Sequence, residues 1–172
     1  MVYIAASLDG YIARADDDIS WLETYNTTGE DYGYAEFVKN VGVVVMGART
    51  YEQSLRHPER MIVGIKNYVL SNRPMSVPHN VEAEFYKGAL GELVNKIKRE
   101  TSKDIFVVGG GQVVSAFLNA GLVDELLQFV VPILLKIGSS LYPALDKEIG
   151  LRLMEVVPYK TGIVKLHYGL KK

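Results

Sequence analysis

The six residues Val41-Gly42-Val43-Val44-Val45-Met46 carry no polar side chain and run straight into Gly47. A strand apolar on both faces must be covered on both faces, which places it centrally in an α/β sheet. A second such run, Ile105-Phe106-Val107-Val108, ends on Gly109-Gly110-Gly111. Each run is followed by a helical stretch, Ala48–Leu55 after the first and one through Val113, Val114, Phe117 and Leu118 after the second, closed by Gly121.

The remaining elements follow from periodicity. Val2–Ala6 reads as a buried strand and Tyr11–Ala13 as a short extended piece. Residues 14–33 are polar and read as a long surface loop anchored by Trp21, and long loops of this kind often serve as lids. Tyr34–Asn40 is expected to be helical with Phe37 and Val38 inward. Met61–Ile65, Tyr68–Leu70 and Val81–Tyr86 are expected to be extended. In 89–100, Leu90, Leu93, Val94 and Ile97 form one helical stripe. Asp124–Leu135 has a strand pattern that Pro132 must interrupt or confine to an edge. Leu151–Val157 and Ile163–Tyr168 read as a closing antiparallel pair. This order predicts one domain over residues 1–172, with a mainly parallel sheet and an antiparallel C-terminal edge.

Composition excludes several chemistries. The chain has no cysteine, which removes thiolate nucleophiles and zinc–thiolate sites, including those of a zinc deaminase. The three histidines, His57, His79 and His167, share no metal-ligand spacing, so no metal site is expected. Nineteen basic against twenty acidic residues give no footprint for nucleic acid or an anionic membrane surface. The N-terminus lacks a basic leader and no apolar run reaches a membrane span, so a soluble cytoplasmic protein is expected.

The two strand–glycine–helix turns are the candidate ligand site. Glycine lets the backbone turn sharply and approach a ligand, and the helix behind it offers free N–H groups to phosphate. Arg49 and Thr50 add a charge and a hydroxyl at the first turn, and Arg73 suits bidentate contact with a phosphate. Neither turn is a G-x-G-x-x-G or Walker A sequence. A carboxylate in an apolar cleft beside Trp21 and Leu22 could supply a proton or orient a substrate N–H.

Together, Ala6-Ser7-Leu8-Asp9-Gly10-Tyr11-Ile12-Ala13, Val45-Met46-Gly47-Ala48-Arg49-Thr50-Tyr51-Glu52, Val69-Leu70-Ser71-Asn72-Arg73 and Val107-Val108-Gly109-Gly110-Gly111-Gln112 resemble the dihydrofolate reductase-like superfamily. The closer likeness is to the reductase domain of the bifunctional riboflavin-biosynthesis deaminase–reductase and its stand-alone relatives. Gly121–Leu126 and Val131–Leu135 extend the resemblance over nearly the whole chain. It implies a three-layer α/β/α sandwich with NADPH across the strand ends. Gly47, Arg49 and Thr50 would meet the cofactor phosphates, and Leu70, Ser71, Asn72 and Arg73 would flank its adenosine half. Gly109, Gly110, Gly111, Gln112 and Val113 would wrap the pyrophosphate, with a cis peptide at Gly109-Gly110. Ala6 and Ile12 would line the nicotinamide pocket, with Ser140 nearby.

Two departures shift these expectations. Ala48 stands where a second basic residue is common, which moves 2′-phosphate recognition to Arg49 and Arg73. Lys136 replaces a glycine of the second arm, leaving Gly138. For the substrate carboxylate, an ungapped count back from Met46 reaches Asp31, and Asp9 in Ser-Leu-Asp-Gly competes with it; Trp21 would share that pocket.

The implied activity is reduction of a small pyrimidine- or pteridine-type substrate by NADPH, with 5-amino-6-(5-phosphoribosylamino)uracil reductase as the named form. A dihydrofolate reductase-like activity and a nucleotide-binding module without catalysis are the alternatives. A homodimer is expected from such relatives, with 126–135 the one apolar run that could form a seam or else a core strand.

Overall fold

The computed structural model describes residues 1–26, 29–57, 61–62 and 64–171. Its strands are β1 (Val2–Ser7), β2 (Tyr11–Arg14), β3 (Val41–Gly47), β4 (Lys66–Leu70), β5 (Ala83–Tyr86), β6 (Asp104–Gly109), β7 (Glu125–Val131), β8 (Gly138–Ser140), β9 (Leu151–Pro158) and β10 (Val164–Leu170). The helices are α1 (Glu23–Asn26), α2 (Tyr34–Lys39), α3 (Ala48–Arg56), α4 (Leu90–Glu100) and α5 (Gly111–Asn119), with a single 3₁₀ turn at Ser20–Leu22. Eight strands form one sheet in the order β5-β4-β3-β6-β1-β7-β10-β9, and β2 and β8 pair separately. Strands β5 to β7 are parallel, and β10 and β9 close the sheet antiparallel.

Alternation along the central strands, interrupted by irregularities between Val41 and Val43 and between Val45 and Met46 in β3, explains why they are apolar on both faces. Val43 and Val45 of β3, Val2, Ile4 and Ala6 of β1 and Val107 of β6 join Leu93, Val94 and Ile97 of α4 and Val114, Phe117 and Leu118 of α5 in one core. Val44 and Met46, Val69 and Phe106 point the other way, onto Phe37 of α2 and Tyr51 of α3. Helices therefore flank both faces, the three-layer arrangement expected. Burying a Val, Leu or Phe side chain contributes roughly 1.5–3 kcal/mol, so both layers are needed to hold so apolar a sheet.

Several local expectations are corrected. The 124–135 run is not one strand: β7 stops at Val131, where Pro132 breaks the ladder. Its Leu126, Phe129 and Val131 are core residues, with β1 on one side and β10 on the other, so 125–131 is a core strand, while Leu134 beyond it is 69% exposed. Met61, Ile62, Gly64 and Ile65 are outside any strand, and Val63 lies outside the described residues. The 14–33 stretch contains the 3₁₀ turn and α1. No helix among the described residues is long and apolar enough to cross a membrane.

Candidate functional site

The two glycine turns meet. Gly47 ends β3 and precedes α3, while Gly110 precedes α5 after β6. Their strands are neighbours in the sheet, so both turns open at the same edge. The Gly109–Gly110 peptide is cis, as the resemblance implies. A β-carbon on Gly110 would stand 3.6 Å from Thr50 Oγ1 and 3.9 Å from Ile12 Cδ1. One on Gly47 would stand 3.0 Å from Val113 Cγ2 and 3.9 Å from the Gly109 carbonyl. Thus Ile12, Gly47, Thr50, Gly110 and Val113 come together where the two turns meet, with Gly109 buried behind them against Ile4 and Val114. Gln112 is exposed in the first turn of α5. The leading N–H groups of α3 and α5 are the donors that an anion at this edge would meet.

Gly111 has a different role. A β-carbon there would overlap the Ser140 carbonyl oxygen and approach Pro143 Cδ to 2.9 Å and the Leu141 carbonyl to 3.1 Å. It is the close-packing point of α5 against the 138–143 segment, held in turn by pairing of Tyr11 with Ser140. Leu70 lies beside Gly47 in register, at the end of β4. Beyond it, the Ser71 hydroxyl donates to the Arg73 carbonyl at 2.6 Å and accepts from the Arg73 N–H at 3.1 Å, and Asn72 is exposed.

The two arginines are exposed and held loosely. Arg73 pairs with Glu52 at 2.8 Å and Arg49 with Asp17 at 3.7 Å, the arginine side chains being 74% and 75% exposed. Exposed pairs of this kind contribute about 0–1 kcal/mol, so a phosphate can replace the carboxylate at small cost. Asp17 also accepts from Ser139 Oγ at 3.4 Å, and its carbonyl accepts from Gln53 Nε2 at 3.0 Å. Residues 16–18 are therefore more than solvated loop: Asp17 ties the loop to α3 and β8, and Asp18 accepts from Arg14 and Ser20.

The substrate-side expectations separate. Ala6 is fully buried with its methyl in the α4–α5 core, so its neighbour Ala5 is the β1 residue that faces the opposite side. There a cleft of about 380 Å³ is lined by Tyr3, Ala5, Leu22, Tyr25, Asp31 and Phe129, among others. Trp21 does not line it. It is 3% exposed, packed with Phe129, Val131 and Ile163, and its indole N–H meets no acceptor among the described residues. Trp21 is the loop's anchor, and Leu22 is the residue that reaches the cleft.

Asp31 is in the cleft wall. Its carboxylate accepts from the Gly33 N–H at 2.9 Å and the Ala35 N–H at 3.1 Å, opening α2. Those bonds, the Gly33 one foremost, hold the acid below the usual carboxylate range. It is anionic at neutral pH, suited to orienting a substrate N–H and not to donating a proton. Asp9 is employed elsewhere. It accepts from Ser7 Oγ at 2.6 Å and from the Leu135 and Lys136 N–H groups at 3.1 and 2.8 Å. Asp9 thereby clamps the arm after Pro132 onto the β1–β2 turn.

The Ser7 hydroxyl, first, and the arm amides lower the Asp9 acid. A group whose folded value lies below its free value stabilises fully above the free value, near 3.8, and loses that contribution as pH falls through the folded one. The arm is therefore expected to stay clamped at neutral pH and loosen below about pH 4. Asp9→Ala should produce the same loosening at pH 7, seen as faster proteolysis within 133–137. Equal cleavage rates would remove Asp9 from this role.

Sequence reasoning missed the tyrosines. Tyr3 and Phe129 stack with centroids 4.4 Å apart, and Tyr32 meets Tyr159 edge-on at 4.9 Å. The hydroxyls of Tyr3 and Tyr159 both donate to the Tyr32 carbonyl, each at 3.1 Å. Tyr25, Tyr32 and Tyr34, three of eleven tyrosines, fall within ten residues of an otherwise polar stretch. That density was the available signal.

The RibD C-terminal domain profile matches residues 80–165, half of the chain. The chain belongs to the RibD C-terminal domain family. It is 32% identical to the uncharacterised YwjB of Bacillus subtilis (strain 168) over 169 residues, covering 98% of this chain and 95% of that one. A crystal structure from Shewanella sp. PV-4, assigned by name to riboflavin biosynthesis, matches with a TM-score of 0.87 at 26% identity, over 99% of this chain and 98% of that one. Dihydrofolate reductase from Enterococcus faecalis, complexed with NADP(H), shares the fold with a TM-score of 0.64 at 14% identity, over 99% and 95% of the two chains. This RibD-type chain is thus related to the reductases of riboflavin biosynthesis and has the dihydrofolate reductase-like fold.

Proposed function

We propose that this RibD-type chain is an NADPH-dependent reductase of a small planar pyrimidine- or pteridine-type ring. The observation that carries the reading is the meeting of the Gly47 and Gly110 turns at the N-termini of α3 and α5, on the same sheet as an aromatic cleft across β1. Bound NADPH would supply the hydride, and the protein would supply position and exclusion of water. Thr50, Gly110 and Gln112 would hold the pyrophosphate, with Gly111 packed behind them against the 138–143 segment. Arg49 and Arg73 would exchange their carboxylate partners for the 2′-phosphate. Asp31 would orient a ring N–H in the cleft. The riboflavin-pathway aminopyrimidine expected from the resemblance is one ring of this class.

Arg49→Ala and Arg73→Ala are each expected to weaken NADPH about tenfold and NADH little, since a charge-assisted contact to phosphate is worth roughly 1.5–3 kcal/mol before exposure discounts it. Equal losses for both cofactors would show that neither arginine reads the 2′-phosphate. The activity itself is tested by the reduced-nicotinamide absorbance, followed with aminopyrimidines and pterins. Loss of absorbance that requires the ring supports a reductase. Tight NADPH binding with no turnover across that panel would favour a binding module.

A further inference from the structure

The two edges of the eight-stranded sheet differ. At one end, β5 is four residues long with none of them exposed, and its Glu84 pairs with Lys66 at 3.1 Å and with Lys96. At the other end, β9 is eight residues long and seven of them are exposed. Its Leu151, Leu153, Met154 and Val156 are 37%, 53%, 48% and 49% exposed, so large apolar side chains on the described surface concentrate in this one strand. Among the described residues no strand lies on its outer side, since β9 pairs with β10 alone. Proteins guard such an edge by making it short, or with lysine, proline or a bulge. β9 has no lysine, and its proline is the last residue, Pro158. Its bulge is at Met154, the extra residue between the Leu153–Tyr168 and Glu155–His167 pairs.

The register sorts the side chains by face. Leu151, Leu153 and Val156 stand opposite Leu170, Tyr168 and Leu166, on the face where Tyr168 and Leu170 pack against the α4–α5 core. Arg152 and Glu155 stand opposite Gly169 and His167, on the other face.

We propose that β9 is the seam of a homodimer, in which it pairs antiparallel with β9 of a second copy across a two-fold axis near Met154 and joins the two sheets into one. Three features select a second copy as the occupant. Two-fold pairing uses the same edge on both molecules and leaves neither open to a third. An axis near Met154 sets the bulge opposite itself, with a ladder arm on each side of it. Reversing the strand about that point also brings Arg152 of each copy close to the partner's Glu155 on a shared face, and opposite charges placed across a ladder favour the pair. On the other face Leu151, Leu153 and Val156 meet their own counterparts and leave water. The seam is thus at β9 and not in the 126–135 run.

The test is sedimentation velocity of the full-length protein over the micromolar range, where a species of twice the chain mass is expected. Leu153→Lys combined with Val156→Lys places the missing guard charges on the edge and should weaken the dimer by about 100-fold or more, with the far-ultraviolet circular dichroism unchanged. A second probe uses the absence of cysteine from the chain. Met154→Cys is expected to form a disulfide with its own mate under mild oxidation, because opposed residues of an antiparallel ladder stand about 4.5–5.5 Å apart at Cα and a disulfide needs about 4.4–6.8 Å. Lys87→Cys, exposed just beyond the β5 edge, should remain a single chain. A parent protein that sediments as one chain throughout overturns the proposal. So does a dimer that the lysine pair leaves intact, or one in which Met154→Cys links no better than Lys87→Cys. Should the lysine variant fail to fold, the two cysteine variants decide alone.

Discussion

Gly110→Ala is expected to give a folded protein that has lost NADPH by about 100-fold, the equivalent of two or three unmade hydrogen bonds to the pyrophosphate. Gly110 has φ −67° and ψ −169°, a backbone conformation open to any residue. Its new methyl would make only ordinary contacts, 3.6 Å to Thr50 Oγ1 and 3.9 Å to Ile12 Cδ1. Nothing in the protein needs to move. The methyl would stand where the two turns meet, where a cofactor would lie against the bare backbone. An unchanged urea midpoint with lost NADPH affinity is the expected pair of results. Unchanged affinity in the folded variant would mean that Gly110 serves only the turn.

The neighbouring substitution, Gly111→Ala, should do the opposite. Here the added methyl overlaps the Ser140 carbonyl and crowds Pro143, and the carbonyl belongs to a paired segment that cannot step back. Overpacking against backbone is expected to cost on the order of 3 kcal/mol. The measurement is the urea midpoint at constant slope. A midpoint within error of the parent would show that α5 and the 138–143 segment slide apart without cost. Two adjacent glycines thus separate ligand approach from internal packing, which activity alone could not do.

How far this was visible in the residues depended on how local the cause is. The double-sided apolar runs of β3 and β6 and their terminal glycines encode a covered parallel sheet with open turns, and the turns do meet. The residues alone do not say which of Ala5 and Ala6 enters the α4–α5 core, because both are alanine and only the sheet's parity decides. Trp21 was placed in the cleft because an aromatic in a polar loop must anchor somewhere, and its anchorage under Phe129 and Ile163 is purely tertiary. β8 spans three residues and pairs only with β2, too short for any periodicity to register. Asp9 and Asp31 looked equivalent as carboxylates. Their amide partners differ, the arm after Pro132 for one and the start of α2 for the other. Those partners lie 126 and 127 residues from Asp9 but two and four from Asp31.

NADPH is expected to bind where the Gly47 and Gly110 turns meet. Titrating the purified protein with NADPH, read by nicotinamide fluorescence and by quenching of Trp21, the only tryptophan, tests it directly. The account predicts saturable binding in the micromolar range, with Trp21 responding because its loop is tied through Asp17 to Arg49. Absence of binding at millimolar NADPH would contradict it and leave the two glycine turns as structural features of a reductase-like fold.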